Sequence, residues 1–374
     1  MVLGLLPSIR GGLGELATTG QQTRLIDGYF KPYARVFEEV RYFSYLDETL
    51  ERYTADPAVL ARVRLYPGRR VHPWLYAFYM PILYRREFRE CAVLRVFQVT
   101  GVIPALIAKR VFGVPFVTTY GFWYTSLARS RVIARLSRIV ARVGLAEADA
   151  VIVTTDDLRA FVIGKVGTAK VYLVPNGVNT SLFRPAPHTP VPVKNILYVG
   201  RLSAEKNLES LIDAVAKLLG RFDVRVTLVG QGPLRERLET SAKRRGVPVQ
   251  FVPLVEHHRL PEVFVAADAF VLPSFTEGHP KVLLEAMSCG VACVASDVSG
   301  NRAVLTDGET GLLFNPHDPG ALADRLEHVL AHPDVAQGLG ERARSLVLGR
   351  YDLGALVTSE TELLHQIGAT RLPR

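Results

Sequence analysis

Short apolar runs alternate along the chain with longer segments whose apolar residues return at helical spacing, the rhythm of parallel sheets joined by crossover helices. In the first half, Val2–Ser8, Val40–Tyr45, Val93–Val99, Pro115–Thr119, Ala150–Thr154 and Val171–Val174 predict strands. In the second half, Asn195–Gly200, Arg225–Val229, Val249–Val252, Ala269–Leu272, Ala292–Ala295 and Gly311–Phe314 do the same. Each set suffices for its own doubly wound α/β sheet. Between them runs Arg184-Pro185-Ala186-Pro187-His188-Thr189-Pro190-Val191-Pro192, whose four prolines suit an extended linker. The boundary is therefore expected there, with residues 1–184 as a first domain and 185–352 as a second. Residues 353–374 remain as a C-terminal helix, about Leu353–Ile367, and a tail that packs on the nearest sheet or returns to the first domain.

The length of 374 residues agrees with two cores. Hydrophobic residues at 48% and charged residues at 22% exclude wholesale disorder. The cysteines Cys91, Cys289 and Cys293 form no CxxC pair and lie at no zinc-finger spacing from a histidine, so neither a disulfide framework nor a structural zinc is expected. Met1–Ile9 is apolar but gives way to Arg10-Gly11-Gly12, too short for a signal peptide or a membrane span. It reads as a buried first strand, and the protein as cytoplasmic. The net charge of +9 is uneven: residues 1–187 hold 25 Lys+Arg and 14 Asp+Glu (+11), leaving 20 and 22 (−2) for residues 188–374. A basic first half suits nucleic acid, anionic lipid or phosphorylated acceptors.

Candidate chemistry is concentrated in the second half. Ile196-Leu197-Tyr198-Val199-Gly200-Arg201-Leu202-Ser203-Ala204-Glu205-Lys206-Asn207 precedes a helical pattern at Leu208–Leu219. A strand ending in glycine, a loop with Arg and Lys and then a helix can hold phosphate at a sheet's C-terminal edge. Further on comes Pro273-Ser274-Phe275-Thr276-Glu277-Gly278-His279-Pro280-Lys281-Val282-Leu283-Leu284-Glu285-Ala286-Met287. Pro280 suits a first helical turn, so a helix is expected near it, with N–H groups by Lys281 and Val282 that favour an anion. Glu277 stands in the loop and Glu285 more than a turn into the helix, so the two carboxylates address different parts of one elongated ligand. Gly290 reads as the helix C-cap.

The spacing from Glu277 to Glu285, with Gly200-Arg201 and Lys206 upstream and Ala286-Met287-Ser288-Cys289-Gly290 downstream, resembles the retaining glycosyltransferases of family 4. Similar to that family, in the same order, are Ala148-Asp149-Ala150-Val151-Ile152-Val153, Pro175-Asn176-Gly177-Val178, Phe183-Arg184-Pro185, Gly230-Gln231-Gly232-Pro233, Ala266-Ala267-Asp268 and Leu272-Pro273-Ser274. The resemblance implies the GT-B architecture: two Rossmann-like domains with an interdomain cleft, the first binding acceptor and the second a nucleotide-sugar donor. It also implies transfer of a sugar, a hexose, from a UDP- or GDP-sugar to an acceptor hydroxyl, with retention of configuration and no cofactor or metal. Arg201 and Lys206 would clamp the diphosphate, Glu285 the ribose hydroxyls and Glu277 the donor sugar. Gly278, His279, Lys281 and Val282 would supply backbone N–H groups. Arg201, Lys206 and the helix N-terminus would stabilise charge on the leaving diphosphate.

In the first half, Gly11-Gly12 resembles the family's glycine loop that approaches the donor phosphates, though an ordinary βα turn reads the same. Tyr120, in Thr118-Thr119-Tyr120-Gly121-Phe122, stands where many members have histidine; it can donate a hydrogen bond to acceptor or donor sugar but cannot act as an imidazole. Ala303 replaces a frequent glutamate. His257-His258 reads as a solvated loop pair or a contact to the base. His328 and His332 share a helical face, and two ligands make no metal site. Tyr124–Gly144 carries Arg129, Arg131, Arg135, Arg138 and Arg142 among Leu127, Val132, Ile133, Leu136, Ile139 and Val140 without an acidic residue. Such a cationic amphipathic helix suits an anionic membrane surface, and Arg62–Arg89 adds basic and aromatic residues. The expected acceptors are a glycan, lipid or small molecule, including a lipid-linked or membrane-associated glycan at the inner membrane face. Two other readings are a nucleotide-sugar epimerase of the same architecture and a noncatalytic nucleic-acid-binding protein, although the second leaves the paired glutamates unexplained.

Overall fold

The computed structural model describes residues 1–121, 131–187 and 192–371. The chain divides into two compact units, Met1–Pro175 with Gly354–Arg374, and Asn176–Leu353.

The first unit is built on strands β1 (Val2–Leu6), β2 (Glu39–Phe43), β3 (Val63–Tyr66), β4 (Val93–Val96), β5 (Phe116–Tyr120), β6 (Ala150–Val153) and β7 (Val171–Leu173). They lie in the order β3-β2-β1-β4-β5-β6-β7, every pairing parallel, with Leu3 opposite Val40 on one side and Val93 on the other. Burial on both faces explains why β1 and β6 read as unbroken apolar runs, while β2 and β4 enclose Arg41 and Arg95. Pro7 has no N–H for the ladder, which ends β1 short of the expected Ser8. β3 is an addition to the expected set. It is a four-residue edge strand with an exposed Arg64 at its second position, so its apolar signal is too brief to register. Of the expected cationic segment Tyr124–Gly144, the structure shows the helix Arg131–Glu147; Tyr124 to Ser130, with Leu127 and Arg129, lies outside the described residues.

The helix Leu353–Ala369 belongs to this first unit from Gly354 onward. Its Glu360 accepts hydrogen bonds from Arg95 Nε (2.5 Å) on β4 and from Tyr33 Oη (2.6 Å). Arg95 and Glu360 side chains are each 5% exposed, and Phe37 stacks on His365 at 4.8 Å between ring centroids. A buried pair with a third hydrogen-bonding partner holds only where the geometry is well matched.

The second unit carries β8 (Lys194–Val199), β9 (Val224–Val229), β10 (Val249–Val252), β11 (Ala269–Leu272), β12 (Cys293–Ser296) and β13 (Leu312–Phe314), in the order β10-β9-β8-β11-β12-β13. All are parallel; Ala269 of β11 faces Ile196 of β8. The order reverses between β8 and β11, the point at which open α/β sheets bind ligands at their C-terminal edge. The division between units falls at Pro175, upstream of the proline-rich stretch. Phe183, ahead of the prolines, is fully buried in this unit, its ring beside His257 and Phe264 and its carbonyl taking the Ser288 hydroxyl at 2.6 Å. The prolines thus follow a segment already packed in the second core; residues 188–191 lie outside the described residues.

Candidate functional site

Two loops leave the second sheet at its switch point. After β8 the chain passes Gly200 and Arg201, makes a short turn at Ala204–Lys206, and enters the helix Leu208–Ala216 through Asn207, held at φ 53°. After β11 the loop Pro273–Pro280 leads into the helix Lys281–Ser288, with Pro280 at the N-cap. The helix closes on a Schellman pattern: Gly290 N–H donates to Met287 O (3.0 Å) and Val291 N–H to Ala286 O (3.2 Å). The expected helix start and C-terminal glycine are both in place.

The loops are tied together. Phe275 N–H donates to Glu205 O at 2.9 Å, and Lys206 Nζ pairs with Glu277 Oε1 at 2.6 Å. The Ser274 hydroxyl donates to the same carboxylate oxygen at 2.7 Å. The Lys206 and Glu277 side chains are 20% and 10% exposed, so the pair is screened by little water. Arg201 is exposed at the same strand end, its carbonyl receiving Tyr198 Oη at 2.8 Å. The family resemblance assigns Lys206 to the diphosphate and Glu277 to the donor sugar; in the structure the two share one ion pair.

Neighbouring turns brace both loops through bare backbone. A Cβ at Gly230 would stand 1.9 Å from Gly200 O, and one at Gly300 2.4 Å from Glu277 O, so only glycine lets these chains approach so closely. Ser296 Oγ donates to Ser274 O (2.5 Å), and Asn301 Nδ2 to Ser296 O (2.8 Å). The Gly230-Gln231-Gly232 motif therefore supports the loop after β8. Ala303, in the helical end beside Gly300, takes Tyr351 Oη on its carbonyl at 3.0 Å.

Glu285 is 3% exposed, and its Oε1 lies 2.9 Å from His257 Nε2. The two histidines read alike in sequence part here: the side chain of His257 is 7% exposed and that of His258 53%. His279 is buried against Tyr351, ring centroids 5.5 Å apart, and Asn176 Nδ2 donates to its carbonyl at 2.7 Å. Burial pushes its imidazole down to about 3, with Lys281 and Arg350 adding to the shift, so the ring is neutral. Its Nδ1 is buried with no partner among the described residues. Gly278 is buried, and Lys281 and Val282 are half-buried in the first helical turn.

In the first unit, Gly11 and Gly12 follow β1 and lead into the short helix Leu13–Ala17. Gly11 N–H turns back to Ser8 O at 2.8 Å. The carboxylate of Glu48 receives Leu13 N–H at 2.9 Å, Gly14 N–H at 2.7 Å, Ser44 Oγ at 2.6 Å and Tyr53 Oη at 3.1 Å. The anion held by this turn is the protein's own glutamate, a residue the sequence reading passes over. Tyr120 ends β5, buried, and stacks on Phe161 at 5.7 Å; burial raises its hydroxyl above the usual tyrosine range. Among the described residues no group of three or more His, Cys, Asp or Glu could hold a metal ion. His328 and His332 meet ring to ring at 5.1 Å.

Comparison with known proteins agrees with this architecture. Residues 37–182 match the model of Glycosyltransferase Family 4 and residues 182–346 that of Glycosyl transferases group 1. The chain is 33% identical over 176 residues to an alpha-D-kanosaminyltransferase of Streptomyces kanamyceticus, covering 46% of each chain. It is 34% identical over 207 residues to a D-inositol 3-phosphate glycosyltransferase of Mycobacterium tuberculosis, covering 49% of this chain and 41% of that one. The match thus spans less than half the length of these curated relatives. Among solved structures, a sucrose-phosphate synthase from Thermosynechococcus elongatus superposes with a TM-score of 0.82 at 23% identity, covering 99% of this chain and 100% of that one. Anabaena HepE in complex with UDP gives 0.77 at 17% identity, covering 98% and 99%. These likenesses establish the GT-B fold, and with the two family models in tandem along it, the chain belongs to the family 4 glycosyltransferases.

Proposed function

We propose that the chain transfers a sugar from a nucleotide-diphosphate sugar to an acceptor hydroxyl with retention of anomeric configuration, the second unit holding the donor and the first the acceptor. The observation that carries this reading is the Lys206–Glu277 pair at the switch-point edge, with Arg201 exposed beside it. A diphosphate arriving there meets Arg201 directly and competes with Glu277 for Lys206. That exchange frees a carboxylate, still oriented by Ser274, to accept hydroxyl hydrogen bonds from the sugar. Glu285, oriented by His257, is assigned the ribose hydroxyls; the N–H groups of the first turn at Lys281 and Val282 face the phosphates. As the donor bond breaks, negative charge grows on the leaving diphosphate, and Arg201, Lys206 and the helix N-terminus stabilise it more than they stabilise the ground state. A UDP- or GDP-sugar and a lipid-linked or membrane-associated acceptor are the substrates this reading favours, the latter for the cationic helix Arg131–Glu147.

The test is calorimetric binding of nucleoside diphosphate and of bare nucleoside, followed by product analysis. Arg201→Ala should weaken the diphosphate by about ten- to a hundredfold, as loss of one charge-assisted hydrogen bond implies, and leave the nucleoside nearly unchanged. Lys206→Ala should do the same and also lower the melting temperature, because it strands the Glu277 carboxylate. Glu277→Gln should depress turnover while nucleoside diphosphate binds as tightly as to wild type or tighter, because Lys206 no longer has to leave a carboxylate, whereas Glu285→Ala should weaken the nucleotide itself. Equal losses for diphosphate and nucleoside, or a product of inverted configuration by NMR, would overturn the assignment.

A further inference from the structure

The helix Pro73–Leu83 contains no charged residue. A helix apolar on every side is normally buried on every side. Here only one face is: Tyr76, Ala77, Met80 and Pro81 are buried, packed against the helix Ile103–Phe112. The hydroxyls of Tyr76 and Tyr84 both donate to Pro67 O, at 3.2 and 2.6 Å, which fixes the rotation of the helix. The opposite face presents Leu75, Phe78, Tyr79 and Ile82, at 64%, 55%, 47% and 63% exposure. Their spacing of three, one and three residues draws a single stripe along the helix.

Arginines close both ends of that stripe. Arg69 and Arg70 precede the helix and Arg85 and Arg86 follow it, all exposed. Residues 57–146 hold 15 Lys+Arg and only two acidic residues, Glu87 and Glu90. Glu90 pairs with Arg86 and Arg41; Arg69, Arg70 and Arg85 have no ion pair among the described residues. The helix Ile103–Phe112 also packs against the helix Arg131–Glu147, where Arg135, Arg138 and Arg142 surround an Ile139 that is 53% exposed.

We infer that Leu75, Phe78, Tyr79 and Ile82 lie in the surface of an anionic lipid bilayer, with Arg69, Arg70, Arg85 and Arg86 on its headgroups. Eleven residues make a helix about 16 Å long, roughly half a bilayer core, so it lies along the surface. Among the described residues no helix is long and apolar enough to cross a membrane. An apolar stripe with a basic border and aromatic residues between them matches the interfacial zone. A second copy fits poorly. Both ends of the stripe are basic, so either a parallel or an antiparallel pairing of two such helices sets arginine against arginine.

This surface deepens the membrane-associated acceptor reading above and rests on it only for its purpose, since lipid binding is measured without any transfer. The full chain, with Trp123→Phe so that Trp74 is the sole tryptophan, is mixed with phosphatidylcholine vesicles with and without phosphatidylglycerol. Flotation and Trp74 fluorescence are read at low and moderate salt. The chain should float with anionic vesicles, weakly or not with neutral ones, and Trp74 emission should shift to the blue. Phe78→Ser with Ile82→Ser should reduce binding by about tenfold or more with no loss of melting temperature, because both side chains are largely exposed already. Arg69→Gln with Arg70→Gln and Arg85→Gln should weaken it at low salt. Nucleoside diphosphate affinity should match wild type in every variant, so failure of lipid binding with donor binding intact would sink this surface alone. No anionic vesicle binding, or binding indifferent to Phe78 and Ile82, would overturn the inference. So would a dimer dissolved by the Phe78 and Ile82 changes, or capture of soluble polyglutamate with no vesicle binding.

Discussion

His279 is the residue whose environment has the clearest consequence in solution. Its imidazole is held neutral in the fold, down to about 3, and returns to an ordinary value near 6.5 on unfolding. Between those values the unfolded chain binds the extra proton. The contribution is therefore complete above about pH 6.5 and is lost as pH falls toward 3, by up to roughly 1.4 kcal/mol per unit. Denaturant unfolding between pH 4 and 7 should show a steeper acid loss for the wild type than for His279→Phe; identical slopes would mean that the buried ring does not titrate this way. Other residue-scale relations are only partly legible in sequence. Glu277, Lys206 and Glu285 stand out because their spacing and neighbours announce them. Their partners do not: His257 meets Glu285 across 28 positions, and Glu48 meets Leu13 across 35. No local pattern encodes a contact at that separation.

At the scale of elements, the long-range clasp of the terminal helix is the feature most open to test. Glu360→Ala leaves Arg95 charged and buried and also removes the acceptor of Tyr33 Oη. Breaking one side of a buried pair costs about 3–5 kcal/mol, so the first unit should melt markedly earlier. Replacing the whole cluster, Arg95→Met and Glu360→Leu with Tyr33→Phe so that no hydroxyl is stranded, should recover most of that stability, and a triple variant as weak as the single would contradict the clasp. The twelve strands predicted from sequence all occur: most contain apolar runs buried on two faces, and the edge strands β7 and β10, though largely unburied, fall in the same rhythm. β3 escapes because it is short, lies at a sheet edge and exposes Arg64. For the helix Leu353–Ala369 the sequence leaves two destinations open, the nearest sheet or the first domain, and the choice between them depends on Arg95 and Tyr33, far away in the chain.

For the whole molecule, the decisive fact is that the second unit is inserted into the first, entered at Asn176 and left at Leu353. Its two ends are stitched side by side. Val178 pairs with Asp352 in a parallel bridge, Val178 N–H donates to Tyr351 O and Leu353 N–H to Val178 O, both at 2.9 Å, and Thr180 Oγ1 donates to Asp352 at 2.5 Å. Residues 176–353 expressed alone should therefore fold, melt cooperatively and bind nucleoside diphosphate. Residues 1–175 alone lack Glu360 and should be unstable, as circular dichroism would report. The same stitch governs how the protein would yield to force. A chain drawn from its two termini pulls Val178 and Asp352 in opposite senses along parallel segments, loading their bridge in shear, so the inserted unit should hold as a closed loop while the first unravels. An optical trap would then record two separate lengthenings, the second marking the failure of that bridge.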